Sequence, residues 1–291
     1  MTKKVGFFVN TSKEKAARVV AKVSKWLRKE GVIPLIPDEQ AAALGIPLTG
    51  ISTAQMVAAS ELLLVLGGDG TLLSAAHTPQ IENVPILAIN IGHLGFLTDA
   101  SLEELDSTLE ATLRGDYRIE HRMMLEVVVN SQSPKPFRAF ALNDVVIRHY
   151  TRLIELDAYI DGEPFIPYNA DGLIIATPSG STGYSLSCAG TIVAPQLKAI
   201  LLTPIAPHNL TVRPFIAHGD AEITVKMRAA DEKVDVFVDG QRDTHRLARE
   251  ADIKIRKAER TIQLIRSRSH SYYRALREKL MLGFSTFLAE K

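Results

Sequence analysis

The sequence predicts an α/β domain with a parallel sheet, then a β-rich, sandwich-like second domain, and a C-terminal helix that returns to the first. Three observations predict this. Short apolar runs alternate with helical stretches over the first hundred residues, a two-residue alternation takes over from Met123, and helical spacing resumes only at Tyr272. The corresponding boundaries are residues 1–118, 119–265 and 266–291. A chain of 291 residues is long enough for two hydrophobic cores. With 46% hydrophobic and 23% charged residues it has the composition of a globular protein.

In the first domain, Val5-Gly6-Phe7-Phe8-Val9 is a strand-length apolar run. Residues 12–29 follow as a helix, with Ala16, Val19, Val23, Trp26 and Leu27 near one face. Gly31 closes that helix and residues 32–36 return as a strand. Residues 37–50, rich in Pro, Gly and Ala, read as a loop, and a short helical segment then leads into the run 61–66. Residues 85–90 form another apolar block. Continuous runs of this kind are expected of central parallel strands covered on both faces. Ser101 and Glu104 have the spacing of a capping box, which predicts a helix from there to about Leu113, ended by Gly115.

In the second domain, Ile154, Leu156, Ala158 and Ile160 alternate with polar residues, as in a strand with one wet face, and Asp161-Gly162 is a turn signal. The same alternation covers Ala221 to Met227, Val234 to Val238 before Asp239-Gly240, then Ile253 and Ile255, then Ile262 and Leu264. Residues 272–282 read as a helix.

Charge and cysteine content limit the function. Lys plus Arg number 34 and Asp plus Glu 33, a formal charge of +1, so the molecule as a whole offers no basic field to nucleic acid. Cys188 is the single cysteine, which excludes an intrachain disulfide and a thiolate metal cluster. It reads as a small buried hydrophobe. No apolar stretch has membrane-spanning length, and the N-terminal run is too short for a signal-peptide core, so a cytoplasmic protein without a membrane partner is expected.

The strongest chemical signal is Gly67-Gly68-Asp69-Gly70-Thr71-Leu72-Leu73, directly after a buried strand and before a helix. Ligands of open parallel sheets bind beyond the carboxyl ends of strands, where glycines let backbone N–H groups approach phosphate. Thr71 is placed to cap the helix and donate its hydroxyl. Asp69 is the anomaly, because a carboxylate beside phosphates repels them unless a metal, a lysine or a proton-transfer role compensates. The loop lacks the Gly-Lys-Ser/Thr ending of a P-loop, and Leu73 stands where the dinucleotide fingerprint has its last glycine.

A second signal is the block 169–184, in which the strand Leu173-Ile174-Ile175-Ala176 feeds Thr177-Pro178-Ser179-Gly180-Ser181-Thr182-Gly183-Tyr184. Its hydroxyls and glycines suit sugar and phosphate groups, Tyr184 offers a flat surface to a ring, and Asp171 adds a charge. Neither Ser179 nor Ser181 is central to a Gly-x-Ser-x-Gly elbow. Asn143-Asp144 interrupts apolar chain and by itself reads as a bulge. His93 has no metal-type pairing, and Arg148, Arg152, Arg213, Arg242 and the group Arg266, Arg268 and Arg274 read as surface charge.

Together, Gly67 to Thr71, Asn143-Asp144 and the block 169–184 resemble the NAD kinase family. The resemblance runs from Val5 to about Ile265 and takes in residues 94–99 and 202–208, Arg213-Pro214 and Asp239-Gly240-Gln241. The Gly-Gly-Asp-Gly-Thr element is shared with diacylglycerol and sphingosine kinases and with phosphofructokinases, and the block from Thr177 to Tyr184 narrows it. The resemblance implies transfer of the terminal phosphoryl group of ATP to the 2′-hydroxyl of the adenosine ribose of NAD, with Mg²⁺ or a similar divalent metal whose protein ligands it leaves unassigned. It implies Asp69 as the catalytic residue, acting as general base or orienting the hydroxyl. Gly68, Gly70 and Thr71 would contact phosphates, Asn143 and Asp144 would hold the adenosine part, and Asp171, Ser179, Thr182 and Tyr184 would line the dinucleotide site between domains. A neighbouring subunit often completes that site, which implies a homodimer or homotetramer. The chain departs from the family pattern at Ser179, Gly183, Cys188 and Ala189-Gly190-Thr191, where Thr, Ala, Ala and Gly-Gly-Pro are usual. Two other classes share part of these features: a lipid kinase, which would need an apolar entrance, and a nucleotide sensor that binds without turnover.

Overall fold

The computed structural model describes residues 3–46, 50–92, 95–130, 136–149, 152–228, 234–240, 242–247, 251–268 and 270–281. They form two compact units, one of residues 1–120 and 263–291, the other of residues 121–262.

The first unit contains, in order, β1 (Lys4–Val9), α1 (Ala16–Lys29), β2 (Ile33–Leu35), α2 (Asp38–Leu44), α3 (Thr53–Ala59), β3 (Leu62–Gly67), α4 (Asp69–Ala76), β4 (Ile86–Asn90) and α5 (Leu105–Leu113). The strands are parallel in the order β2-β1-β3-β4. All six residues of β3 and all five of β4 are buried, as strands covered on both faces must be. Each fully buried Leu of β3 contributes about 1.5–3 kcal/mol of apolar transfer. In α1, Ala16, Val19, Val20, Val23 and Leu27 form the buried stripe.

Three expectations are corrected here. The stretch 37–50 is not all loop, since α2 lies within it: Pro37 precedes the helix, Asp38 and Glu39 complement its first-turn dipole, and Gly45 ends it in the left-handed region with φ 60°. Helix α1 starts at Ala16 rather than residue 12. Ser101 does not cap α5; its amide is held by Glu104 Oε2 at 3.0 Å, and the helix begins at Leu105.

The second unit begins within β5 (Arg118–Asn130) and continues through β6 (Phe137–Ala141), β7 (Asp144–Arg148), β8 (Ile154–Ile160), β9 (Glu163–Ala170), β10 (Gly172–Ala176), the short helix α6 (Tyr184–Ser187), β11 (Ala199–Ile205), β12 (Phe215–His218), β13 (Ile223–Met227), β14 (Asp235–Val238), β15 (Asp243–Arg246) and most of β16 (Asp252–Arg266). One sheet is antiparallel in the order β12-β11-β10-β7-β14-β15. Its alternate residues separate cleanly. Val145, Ile147, Leu173, Ile175, Ile200, Leu202, Val236 and Val238 enter a core shared with Leu125, Leu156, Ala158, Ile223 and Ile253 of the other strands. Val146, Ile174, Ala176, Leu201 and Phe237 face a second cluster on the opposite side. This is a sandwich. Asp161-Gly162 forms the two-residue hairpin between β8 and β9, with φ 51° and 82°. The pairs Ile253/Ile255 and Ile262/Leu264 belong to one continuous strand, β16, whose buried phase shifts at Ala258.

Leu264 pairs in parallel with Ile86, and α7 (Tyr272–Leu280) belongs to the first unit. Ser271 caps α7 by accepting the Arg274 amide, while Tyr272 and Ala275 are buried. Residues 282–291, which include the last position of the expected helix, lie outside the described residues.

Candidate functional site

The Asp69 loop is shorter than its glycine content suggests. Gly67 is the last residue of β3, Gly68 alone separates it from α4, and Asp69 is the first helical residue. Thr71 is therefore not the N-cap. It lies one turn in, and its Oγ1 accepts the Gly68 amide at 3.4 Å. Gly67 is required by close approach, because a Cβ there would stand 2.1 Å from Thr71 Oγ1. At Gly68 a Cβ would meet nothing within 4 Å, so the missing side chain leaves backbone open beside the helix N-terminus. Gly70 is exposed.

The Asp69 carboxylate is clamped. Oδ2 accepts the Phe96 amide at 2.8 Å and Oδ1 the Leu97 amide at 3.0 Å. A Cβ on Gly95 would lie 2.0 Å from Oδ1, so only glycine lets the 95–98 turn close over the carboxylate. The turn is itself held from below. Thr98 Oγ1 accepts the Gly95 amide, and the Leu97 carbonyl accepts Arg266 Nη1 at 3.0 Å.

Arg266 is fully buried and lies 3.2 Å from Glu120 Oε2 and 3.9 Å from Asp99 Oδ1, so its reading as surface charge is wrong. Burial pushes its guanidinium down from the ordinary value, opposed by Glu120 and Asp99. Asp99 also accepts the Ser267 amide and meets His270 Nδ1 at 3.4 Å. Burial, then the Arg266 charge, holds His270 below its usual range. Lys279 Nζ stands 3.9 Å from Asp69 Oδ2. No signal in the sequence linked Arg266 or Lys279 to Asp69, because about 200 positions separate them. His93 and Leu94 lie outside the described residues.

In the second unit, Asn143 and Asp144 are not a bulge. Residues 142–143 form the corner at which the chain leaves β6 for β7 in the other sheet. The buried Asp239 carboxylate holds that corner: Oδ2 accepts the Leu142 amide at 2.8 Å, and Oδ1 accepts those of Asn143 at 2.7 Å and Asp144 at 3.1 Å. Asp239 and Gly240 both have positive φ, 46° and 69°. Gln241 lies outside the described residues. Burial, reinforced by the Asp239 charge, pushes the Asp144 carboxyl up to about 7.

The block after β10 closes against the same corner. Thr177 donates its amide to the Asn143 carbonyl at 2.8 Å and its hydroxyl to the Leu142 carbonyl at 2.6 Å. A Cβ on Gly180 would lie 2.1 Å from the Asn143 carbonyl oxygen. One on Gly183 would meet Asn143 Nδ2 at 3.6 Å and Asp144 Oδ2 at 3.8 Å. Ser179 and Thr182 sit on a 3₁₀ turn, Ser179–Thr182. Ser179 Oγ accepts Arg122 Nη1 at 3.1 Å, and the Thr182 hydroxyl donates to the Ser179 carbonyl. Half-buried Tyr184 packs on the outer apolar cluster, with its hydroxyl 3.4 Å from Arg148 Nη1. Cys188 packs there too; burial pushes its thiol up, partly offset by Arg148.

Asp171 stands apart. It lies at the corner between β9 and β10, and its amide donates to the Ile205 carbonyl. In the sheet register Gly172 faces Arg148 whereas Ala176 faces Asp144, so Asp171 is at the opposite end of β10, about 17 Å along the strand.

Comparisons with known proteins agree across the length of the chain. The sequence model described as the ATP-NAD kinase N-terminal domain matches residues 5–117, and that of the ATP-NAD kinase C-terminal domain matches residues 142–267. The chain belongs to the NAD kinase family. A NAD kinase of Moorella thermoacetica is 42% identical over 97% of this chain and 90% of its own length. One of Geobacter sulfurreducens is 40% identical over 97% and 99%. Among solved structures, yeast NADH kinase complexed with NADH superposes with a TM-score of 0.88 at 26% identity, covering 97% of this chain and 88% of that one. An Archaeoglobus fulgidus NAD kinase shares the fold, with a TM-score of 0.73 at 24% identity over 96% and 98%. The α/β unit with its parallel sheet, the β-rich unit and the C-terminal helix are the NAD kinase fold.

Proposed function

We infer that the chain phosphorylates NAD to NADP at the expense of ATP, the terminal phosphoryl group passing to the 2′-hydroxyl of the adenosine ribose. The activity is that of the family to which the chain belongs. The observation that carries the reading at the level of atoms is the Asp69 carboxylate, fixed by two backbone amides at the start of α4 beside an open glycine.

A carboxylate is a weak base, but phosphoryl transfer through a loose transition state asks little of the base and much of alignment. Asp69 is the catalytic residue in this reading, orienting the ribose hydroxyl and receiving its proton. The clamp fixes its direction without rearrangement during reaction. Gly68, Gly70 and Thr71 offer backbone and hydroxyl groups to the phosphates. Asn143 and Asp144 hold the adenosine part, and Ser179, Thr182, Tyr184 and Asp171 the rest of the dinucleotide. Residues 1–118 thus bind the donor phosphates, 119–265 bind NAD, and 266–291 support the first domain. The assembly proposed is a cytoplasmic homodimer or homotetramer with no nucleic-acid or membrane partner.

Among the described residues no three His, Cys, Asp or Glu side chains are grouped to hold a metal. An ion such as Mg²⁺ needs no such cage, since it takes one or two carboxylates and otherwise substrate phosphates and water. When bound, such an ion neutralises phosphate charge.

The test is NADP formation from ATP with NAD, and with NADH as a second acceptor because the yeast relative was crystallised with it. Asp69→Asn is expected to lose turnover by about 10²-fold or more with thermal stability kept. A wild-type protein that forms no NADP, or an Asp69→Asn variant of full activity, overturns the reading.

A further inference from the structure

Asp69 puts a full negative charge on the first turn of α4, in the loop that the proposed function assigns to phosphates. The positive end of a helix dipole amounts to about half a charge, so it cannot offset both the carboxylate and an incoming phosphate. The two amides on Asp69 are neutral. A cation is called for, and the structure supplies Lys279 from the far end of the chain.

Its ammonium stands 3.9 Å from Asp69 Oδ2 and 4.0 Å from the centroid of the Phe96 ring, and the Lys279 and Asp69 side chains are each 28% exposed. The same Phe96 that donates its amide to Oδ2 thus carries the lysine over its ring face. At 3.9 Å the contact is an ion pair rather than a hydrogen bond, which for an ammonium and a carboxylate would be about 2.7–2.9 Å. The N–H groups of Lys279 are therefore not committed to Asp69, and the ammonium can donate to a phosphate oxygen while still compensating the carboxylate. Helix α7 is anchored at its start. Ser271 caps it, Tyr272 and Ala275 bury one face, and the chain just before it is tied to Asp99 through Ser267 and His270.

We propose that Lys279 is a donor-binding residue of this enzyme: it takes an oxygen of the terminal phosphate of the nucleotide and, through its ion pair with Asp69, lets a carboxylate and a phosphate share one loop. The inference rests on the kinase reading of the Asp69 loop.

The experiment compares the full-length wild type with Lys279→Met, Lys279→Arg and Arg277→Gln. The last removes one positive charge from the exposed surface of the same helix. Steady-state kinetics are run with each substrate varied in turn, and binding of ATP and of inorganic tripolyphosphate is measured by calorimetry. Lys279→Met should raise KM for ATP about five-fold or more and leave KM for NAD within about two-fold, with Lys279→Arg regaining most of the loss and Arg277→Gln unchanged. Tripolyphosphate should bind more weakly to Lys279→Met in parallel with ATP.

If Lys279→Met does not fold, Phe96→Leu keeps the amide on Asp69 and removes the ring that holds the ammonium, and a smaller rise in the same KM is expected. An unchanged KM for ATP, or equal rises for both substrates, overturns the proposal. The underlying kinase reading fails separately, through a wild type that makes no NADP, and the calorimetric comparison then still decides for or against Lys279.

Discussion

Asp144 is the residue whose surroundings most change its chemistry. It is 6% exposed, lies beside buried Asp239 and is pushed up to about 7, against an ordinary 3.8. The sign of the consequence follows from proton binding. Between the two values the unfolded chain has lost the proton that the folded protein keeps, so stability is full below about 4 and falls as pH rises to about 7. The loss is on the order of a few kcal/mol at about 1.4 kcal/mol per pH unit. Asp144→Asn should flatten this part of the profile and melt higher than wild type at pH 8. Thermal melts at half-unit intervals from pH 4 to 8 check it, and parallel profiles would refute the assignment. Gly95 makes a sharper point about shape. With a Cβ placed 2.0 Å from Asp69 Oδ1, Gly95→Ala must displace the carboxylate or open the turn. We expect a loss of kcat of at least about tenfold with KM for NAD little changed, since 1 Å of misplacement at a reacting group is costly.

At the scale of elements, the turn 95–98 and the corner 142–143 are built alike: a carboxylate and an arginine or threonine fix backbone that is not in a regular element. Arg266→Met would leave Glu120 and Asp99 buried without their cation, and the expected cost is about 3–5 kcal/mol in urea denaturation. A change below about 1 kcal/mol would mean that those charges are relieved otherwise. These braces mark the boundary of what could be read in advance. Strands β3, β4, β8 and β10 were legible because burial on one or both faces writes itself into apolar spacing, and Asp161-Gly162 because its backbone demands those residue types. Asp69, Asn143 and Ser179 were legible as motif residues. Asp239 was legible as part of the Asp239-Gly240-Gln241 motif but not its hold on the 142–144 amides, and Arg266 and Lys279 were not legible at all, since each acts on a partner 95 or more positions away and local pattern carries no trace of it. Helix α2 was missed because Pro37 and Gly45, which bound it, resemble loop punctuation.

For the whole molecule, the proposed site asks Asp171 to serve the same dinucleotide as Asp144 from the other end of β10. The β7–β10 register fixes about 17 Å of strand between them, and side chains reaching from opposite ends of one sheet do not converge on one ring. A closed dimer resolves this geometry if Asp171 of one subunit serves the dinucleotide bound at Asn143 and Asp144 of its partner, as a two-fold interface requires such contributions to be reciprocal. The prediction is complementation. Asp144→Ala and Asp171→Ala are expected to be nearly inactive alone. Mixed and allowed to exchange subunits, they should regain about a quarter of wild-type activity, because half the dimers are mixed and each mixed dimer has one intact site of two. If both residues act within one chain, every subunit in the mixture carries a defect and no activity returns, so the mixing experiment separates the two arrangements without needing a structure of the assembly.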